Sequence, residues 1–265
     1  MTLLERYMEF VKTDINDRIG YITLNRPDKR NALNFQFVTE LKESFEAFSE
    51  DPTVKVIVLK AEGAVFCAGA DLDYLQQLQN NTFEENLVDS THLMELYKLI
   101  YTLKKVVIAQ VNGHALAGGC GLVSVCDFAF SIPEASFGYT ESRIGFIPAI
   151  VMGFLVRKIG ESNARHMLLS GNVIKAQDAQ KFGILHTIVE SDEELSEAVT
   201  EFAQHLIIHN SGMSMELTKK MLAEIQDMPL QKALDYAAQM NAKARNTEDC
   251  KRGIAAFLNK ENVKW

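Results

Sequence analysis

The sequence predicts an α/β fold, and three observations point there. The apolar runs VKVIVLKA (54–61) and VVIAQVNG (106–113) have few polar breaks, as strands buried on both faces do. Loops of small residues follow such runs and helical periodicity follows the loops, so strand, loop and helix repeat as in parallel sheets with crossovers. From about residue 192 the strand signals stop and only helical patterns remain.

Along the chain, YMEFVK (7–12) and IGYITL (19–24) flank DINDR and read as a hairpin. Asn34 is the expected N-cap of a helix to about Phe48, with Phe37, Leu41, Phe45 and Phe48 at helical spacing. The loop EGAVFCAGAD feeds a helix from about Asp71 to Leu78, and a longer one ends near Leu103. The stretch ALAGGCGL (115–122) opens a helix running toward Cys126, and FAFSI (128–132) reads as a strand. EELSEAVTEFAQHL, MELTKKMLAEI, LQKALDYAAQM and TEDCKRGIAAFL read as helices, the last capped by Thr247. No Pro/Gly-rich linker precedes this tail, which is expected to pack on the core or on a neighbouring subunit.

Composition excludes several classes of function. Among 265 residues, 27 basic against 35 acidic side chains give a net charge of −8, which disfavours attachment to nucleic acid or to an anionic membrane. MTLLERYMEFVKTD does not read as a secretory signal, and no window approaches the ~20 apolar residues of a membrane span. Cys67, Cys120, Cys126 and Cys250 lack metal-site spacing and read as free packing thiols of a reducing cytosol, so the expected location is cytoplasmic and no metal is expected.

Two loops share one logic: FCAGADL (66–72) and ALAGGCGL each carry the chain from a buried strand into a helix. Such turns leave backbone N–H groups aimed at a crevice, where they suit a phosphate or an oxyanion. Either loop alone reads as a tight turn, but donors from two loops can converge on one oxygen. The spacing Gly118, Gly119, Gly121 does not make a dinucleotide fingerprint. Glu141 lies about 20 residues on but follows SFGYT, which does not read as a strand, and the Walker pattern is absent.

NRPDKRNAL places Arg26, Lys29 and Arg30 beside the apolar Ala32 and Leu33, a setting for a ligand with phosphates at one end and a thin neutral arm. Glu141, in SFGYTESRIGFIPA, is a lone carboxylate among aromatic and apolar residues, fitted for proton transfer if desolvated. His114 reads as a hydrogen-bonding rim residue, and Cys67 and Cys120 as packing.

NRPDKRNAL, FCAGADL, VNGHALAGGCGL, SFGYTESRIGFIPA and TEDCKRGIAAFLNK, in this order, resemble the enoyl-CoA hydratase/isomerase (crotonase) superfamily across essentially the whole chain. The resemblance implies a ββα spiral core over 1–195 that holds an acyl-CoA site. It implies a helical trimerisation region over 196–265 and assembly as a homotrimer or a hexamer built from two trimers. The thioester carbonyl would sit between the N–H groups of Ala68 and Gly118, with Glu141 as catalytic carboxylate. Lys29 to Leu33 would flank the CoA arm, Ala70, Asp71 and Leu72 the adenine, and Phe257 and Lys260 the CoA phosphates. No cofactor is implied beyond the coenzyme A carried by the substrate.

One departure stands out. Hydratases of the family carry two glutamates about 20 residues apart, and the first would fall on Gly121. The helix over 83–103, with Glu84, Glu85, Asp89, His92 and Glu95, is a candidate source of a replacement. The wider texture resembles bacterial methylglutaconyl-CoA hydratase-like proteins, which implies water addition to or removal from a branched enoyl thioester with a distal carboxylate. Double-bond isomerisation with Glu141 as sole proton shuttle is the alternative, and a non-catalytic CoA- or RNA-binding relative a further one.

Overall fold

A computed structural model describes residues 8–265; the segment 1–7, including Tyr7 of the YMEFVK run, lies outside the described residues. The first half runs β1 (Val11–Asn16), β2 (Ile19–Leu24), α1 (Phe35–Glu50), β3 (Val56–Ala61), α2 (Leu72–Leu78), α3 (Phe83–Thr102) and β4 (Val106–Val111). Then come β5 (Ala115–Leu116), α4 (Gly118–Val125), β6 (Phe128–Ser131), β7 (Ser136–Gly138), α5 (Ala149–Ser170), β8 (Val173–Lys175), α6 (Ala176–Phe182) and β9 (Thr187–Ile188). The tail is α7 (Asp192–His209), α8 (Gly212–Glu224), α9 (Leu230–Arg245) and α10 (Glu248–Asn259).

The hairpin lies later than the sequence pattern placed it, because DIN of DINDR is the second half of β1. Asp17 and Arg18 alone make the turn, both with positive φ (48° and 68°), so Asn16 pairs directly with Ile19. Two left-handed turn residues match the twist of the flanking strands. The buried Glu40 of α1 holds the entry to β1 by accepting the backbone N–H groups of Glu9, Phe10 and Val11. The N-caps read from sequence are seen: the Asn34 side chain accepts from the Phe37 N–H, and that of Thr247 from the Cys250 N–H. SFGYT, by contrast, does contain a strand, since Ser136–Gly138 is β7; three residues are too few to show a period.

Strands β1-β2-β3-β4-β6-β9 form one sheet, antiparallel only between β1 and β2, and β5-β7-β8 form a second. The VIVL run of β3 divides by alternation. Ile57 and Leu59 enter the larger core with α1, α3 and α4, whereas Val56 and Val58 enter a second core under α7. That second core takes Leu195, Val199, Ala203, Leu206 and Ile207 of α7. A boundary at residue 196 therefore cuts a helix that closes one face of the sheet. By packing, the tail begins after α7.

The tail is tied down through Lys219 of α8, whose buried ammonium donates to the carbonyls of Ile100 and Lys105 and pairs with Asp127 Oδ2 at 2.6 Å. Lys55 does the same for the end of α7, donating to the carbonyls of Ile207 and Asn210; burial pushes its amine down to about 8. Lys219→Met keeps the stem but strands Asp127 and the two carbonyls. It is expected to cost about 3 kcal/mol, the usual cost of breaking a buried pair, measured by urea unfolding.

Candidate active site

The two small-residue loops lie side by side. Cys67 bridges Ala115 in parallel fashion, with the Cys67 N–H donating to the His114 carbonyl and the Leu116 N–H to the Cys67 carbonyl. On its other edge the first loop bridges Leu33, whose N–H donates to the Gly69 carbonyl and whose carbonyl accepts the Asp71 N–H. These bonds decide which donors are free. The Ala68 N–H is spent on the Arg30 carbonyl at 3.0 Å, which corrects the expectation that Ala68 is an oxyanion donor. In an extended segment successive N–H groups point to opposite sides. Because Asp71 turns its N–H to Leu33, Ala70 turns its own away, and this N–H, on an exposed residue, has no acceptor among the described residues.

The second free donor is Gly118, the first residue of α4, where helix geometry leaves an N–H without an internal partner. Ala117 before it has φ 48° and ψ −123°, an uncommon conformation for a residue with a side chain, and is held by its own N–H to the Gly138 carbonyl at 2.7 Å. The approach is close enough to demand glycine. A Cβ on Gly119 would stand 2.3 Å from the Cys67 carbonyl oxygen, and one on Gly69 2.8 Å from Ala117 Cβ and 3.6 Å from the Gly118 nitrogen. The Ala70 and Gly118 donors thus belong to backbones in van der Waals contact.

Glu141 follows β7 by three residues and opens a short 3-10 turn, Glu141–Ile144. Ala117 hangs on Gly138 at the end of that strand, and the Glu141 carboxyl lies near enough to Tyr97 of α3 and Cys120 of α4 to act on both electrostatically. It is half-buried, its Oε2 is fully buried with no hydrogen-bond partner among the described residues, and desolvation pushes its pKa above the ordinary carboxylate range. With its affinity for a proton raised and one oxygen left without a donor among the described residues, it is suited to proton transfer.

Gly121 is not an open seat. A Cβ there would lie 2.6 Å from Val151 Cγ1 and 2.8 Å from the Tyr97 hydroxyl oxygen. Tyr97, fully buried on α3, donates from its hydroxyl to the Gly118 carbonyl at 2.7 Å. Burial first, then the nearness of Cys67, Glu141 and Cys120, holds its phenol well above the ordinary value. Sequence reasoning missed Tyr97; its only trace was a tyrosine on the apolar side of a helix otherwise read for its acids. Those acids are engaged elsewhere: Glu95 pairs with Lys42 at 2.6 Å, Asp89 accepts from the Tyr74 hydroxyl, and Glu85 closes the capping box of α3. Glu84 is exposed in the first turn, and His92 stacks on Phe35.

The remaining expected ligand residues separate into two groups. Arg26 is committed internally: it pairs with buried Asp71 at 2.6 Å and donates to the Ala32 carbonyl, so it is not a free phosphate cation. Asp71 caps α2 through the N–H groups of Asp73 and Tyr74. Burial acts to raise its carboxyl, but the Tyr74 N–H and Arg26 outweigh that and hold it below the usual range. Lys29, joined only to Asp73 at 2.9 Å, and Arg30, without a side-chain partner among the described residues, are exposed beside buried Ala32 and Leu33. Leu72 is 80% exposed, and Phe257 (82%) and Lys260 project from α10, which packs on α8 and α9. A cavity of about 380 Å³ lies elsewhere, at the starts of β2, β3 and β4, lined by Arg18, Lys55, Lys105 and Arg252 among others. The paired loops follow strand ends, where open α/β sheets bind ligands, so that cavity is not this site.

Two N–H groups without an acceptor among the described residues, one on exposed Ala70 and one on half-buried Gly118, together with a desolvated carboxyl, are groups that could hold a developing oxyanion while a proton moves. Comparison with known proteins gives the family. Residues 14–265 match the family model described as enoyl-CoA hydratase/isomerase. The chain is 34% identical to 2,3-dehydroadipyl-CoA hydratase of Escherichia coli, over 92% of this chain and 93% of the other. It is 31% identical to crotonyl-CoA hydratase of Syntrophomonas wolfei, over 94% and 95%. The crystal structure of an enoyl-CoA hydratase from Shewanella pealeana superposes with a TM-score of 0.92 at 30% identity, covering 97% of this chain and 96% of that one. The chain belongs to the enoyl-CoA hydratase/isomerase family and has the crotonase fold, as its motifs implied, and it is an enzyme of that family.

The Glu141 environment has a consequence for stability. A carboxyl whose folded pKa is raised stabilises the fold only while protonated, so ionisation above that pKa costs stability. Glu141→Gln is therefore expected to raise Tm at pH 7–8, the gain vanishing below the ordinary carboxylate range. Calorimetry across pH reads it.

Proposed function

We propose that the enzyme is an acyl-CoA hydro-lyase that adds or removes water at an enoyl-CoA double bond through an enolate held by Ala70 and Gly118. The observation that carries this is the buried Oε2 of Glu141, without a hydrogen-bond partner among the described residues, in a fold that leaves two backbone donors on adjoining loops unspent on any described acceptor. In the dehydrating direction the Glu141 carboxylate takes the α-proton of a 3-hydroxyacyl thioester. The C–H electron pair moves onto the thioester oxygen, and each N–H stabilises that charge by about 3 kcal/mol. As the enolate collapses, the double bond forms, the β C–O bond breaks, and Glu141 returns the proton to the departing hydroxide as water. Syn geometry lets one carboxyl serve both steps. Hydration is the reverse.

For the substrate we infer a branched enoyl-CoA with a distal carboxylate, of the methylglutaconyl type. The texture of residues 117–160 supports this, and so does a relative named for dehydroadipyl-CoA, itself a dicarboxylic acyl thioester. The exposed Arg30, and Lys29 once it exchanges Asp73 for a phosphate, are the cations placed to meet CoA phosphates, with Ala32 and Leu33 along the arm and Ala70 to Leu72 near the adenine. We assign α8 to α10 to homotrimer or hexamer contacts, where exposed Leu230, Leu234, Ile254 and Phe257 would be covered and Lys260 could reach a neighbour's CoA.

One observation favours a second reading. Tyr97 and Val151 fill the place of the first glutamate, and a single carboxylate suffices to move a proton from the α to the γ carbon of a 3-enoyl-CoA. Incubation with 3-methylglutaconyl-CoA, crotonyl-CoA and 3-hexenoyl-CoA, followed by mass, separates the two. A change of 18 Da on the branched substrate supports hydration, whereas a conjugated product of unchanged mass means isomerisation. Glu141→Gln is expected to lower kcat about 1000-fold in either case; activity within tenfold of wild type would remove Glu141 from the chemistry.

A further inference from the structure

We propose that Tyr97 is a positioning residue of the oxyanion site, its hydroxyl clamping the Gly118 carbonyl so that the Gly118 N–H keeps its aim. This rests on the reading that Gly118 receives the thioester oxygen. The turn into α4 needs holding, because Ala117 sits at φ 48° and ψ −123°. Backbone of this kind persists only where its surroundings over-determine it. Two bonds do so here. The Ala117 N–H is fixed by the Gly138 carbonyl at 2.7 Å on one side, and the Gly118 carbonyl is fixed by the Tyr97 hydroxyl at 2.7 Å on the other. The catalytic N–H lies on the backbone between these two anchors.

The anchor itself is rigid. Tyr97 is fully buried, with Phe154 edge-on to its ring at 6.4 Å, and α3 carries it among the packed core helices. A carbonyl oxygen in a helix has a second lone pair, so the phenol can bond it without displacing the helical bond. The same ring explains Gly121. Any side chain at 121 would begin 2.8 Å from the hydroxyl oxygen and 2.9 Å from Cζ of Tyr97, so clamp and side chain exclude each other. The absence of an acid at 121 is thus locked by packing: the phenol–carbonyl clamp occupies the space that a side chain there would need.

Tyr97→Phe removes the hydroxyl and keeps the ring. It is expected to lower kcat about 10- to 100-fold, as loss of an orienting partner does, with KM within threefold. A readout that a merely structural role would not move is the carbonyl stretch of bound butyryl-CoA, labelled at the thioester carbon and followed by difference Raman spectroscopy. In wild type the band should move to lower frequency on binding, and in Tyr97→Phe at least half of that shift should disappear. Gly121→Ala, which pushes on the same hydroxyl, should show the same two losses, and the double variant should be no worse than the poorer single one. A wild-type band shift and wild-type kcat in Tyr97→Phe would overturn the clamp and leave the oxyanion reading intact. No band shift in wild type would overturn both.

Discussion

Everything in the site depends on the strand-like contact between two loops, the Cys67–Ala115 bridge and its flanking hydrogen bonds. It brings the ends of β3 and β4 to one depth and lets both chains pass within contact distance. A hydrogen-bonded register is a discrete constraint: one residue of slip would exchange inward and outward N–H groups along the whole segment. That is how backbone, with no reactive side chain of its own, is made specific. Gly69 and Gly119 serve this contact, since a Cβ at either would meet the facing chain below 3 Å.

The charged residues that look functional in the NRPDKRNAL stretch serve largely to hold this arrangement. Half-buried Arg26 and buried Asp71 form a pair whose further hydrogen bonds go to the Ala32 carbonyl and the first turn of α2. Removing either would leave the other ionised in a poorly solvated place. The pair holds the Leu33 edge against the Gly69–Asp71 segment, and so sets which of Ala68, Ala70 and Asp71 has an N–H to spare. Electrostatics here is spent on geometry, and the solvent-facing cations lie further out, at Arg30 and at Lys29 with its partner Asp73.

Glu141 shows the opposite economy. Its surroundings leave one oxygen without a donor, and the fold accepts a carboxyl that would be more comfortable protonated. Tyr97 is buried close by, yet its hydrogen bond goes to the Gly118 carbonyl and not to the acid. The acid keeps its basicity because its neighbours are satisfied elsewhere. The protein tolerates that cost because two hydrophobic cores, one on each side of the sheet, supply the stability.

The sequence by itself determined the repeating strand–loop–helix order, the N-caps at Asn34 and Thr247, the two glycine-bearing loops, Glu141, and the absence of an acid at 121. These are local: periodicity, capping chemistry and the small residues that a close backbone approach requires are written residue by residue. Only the tertiary structure decided that Ala70 and not Ala68 has the free N–H, that Arg26 is internal, that α7 belongs to the core, and that Tyr97 and Val151 occupy the space beside Gly121. Each of these is a partner choice across 20 or more positions or between separate elements. A donor, an acid or a glycine carries no mark of which distant group will claim it. Hydrogen bonds and excluded volume make that assignment only once the chain has closed on itself.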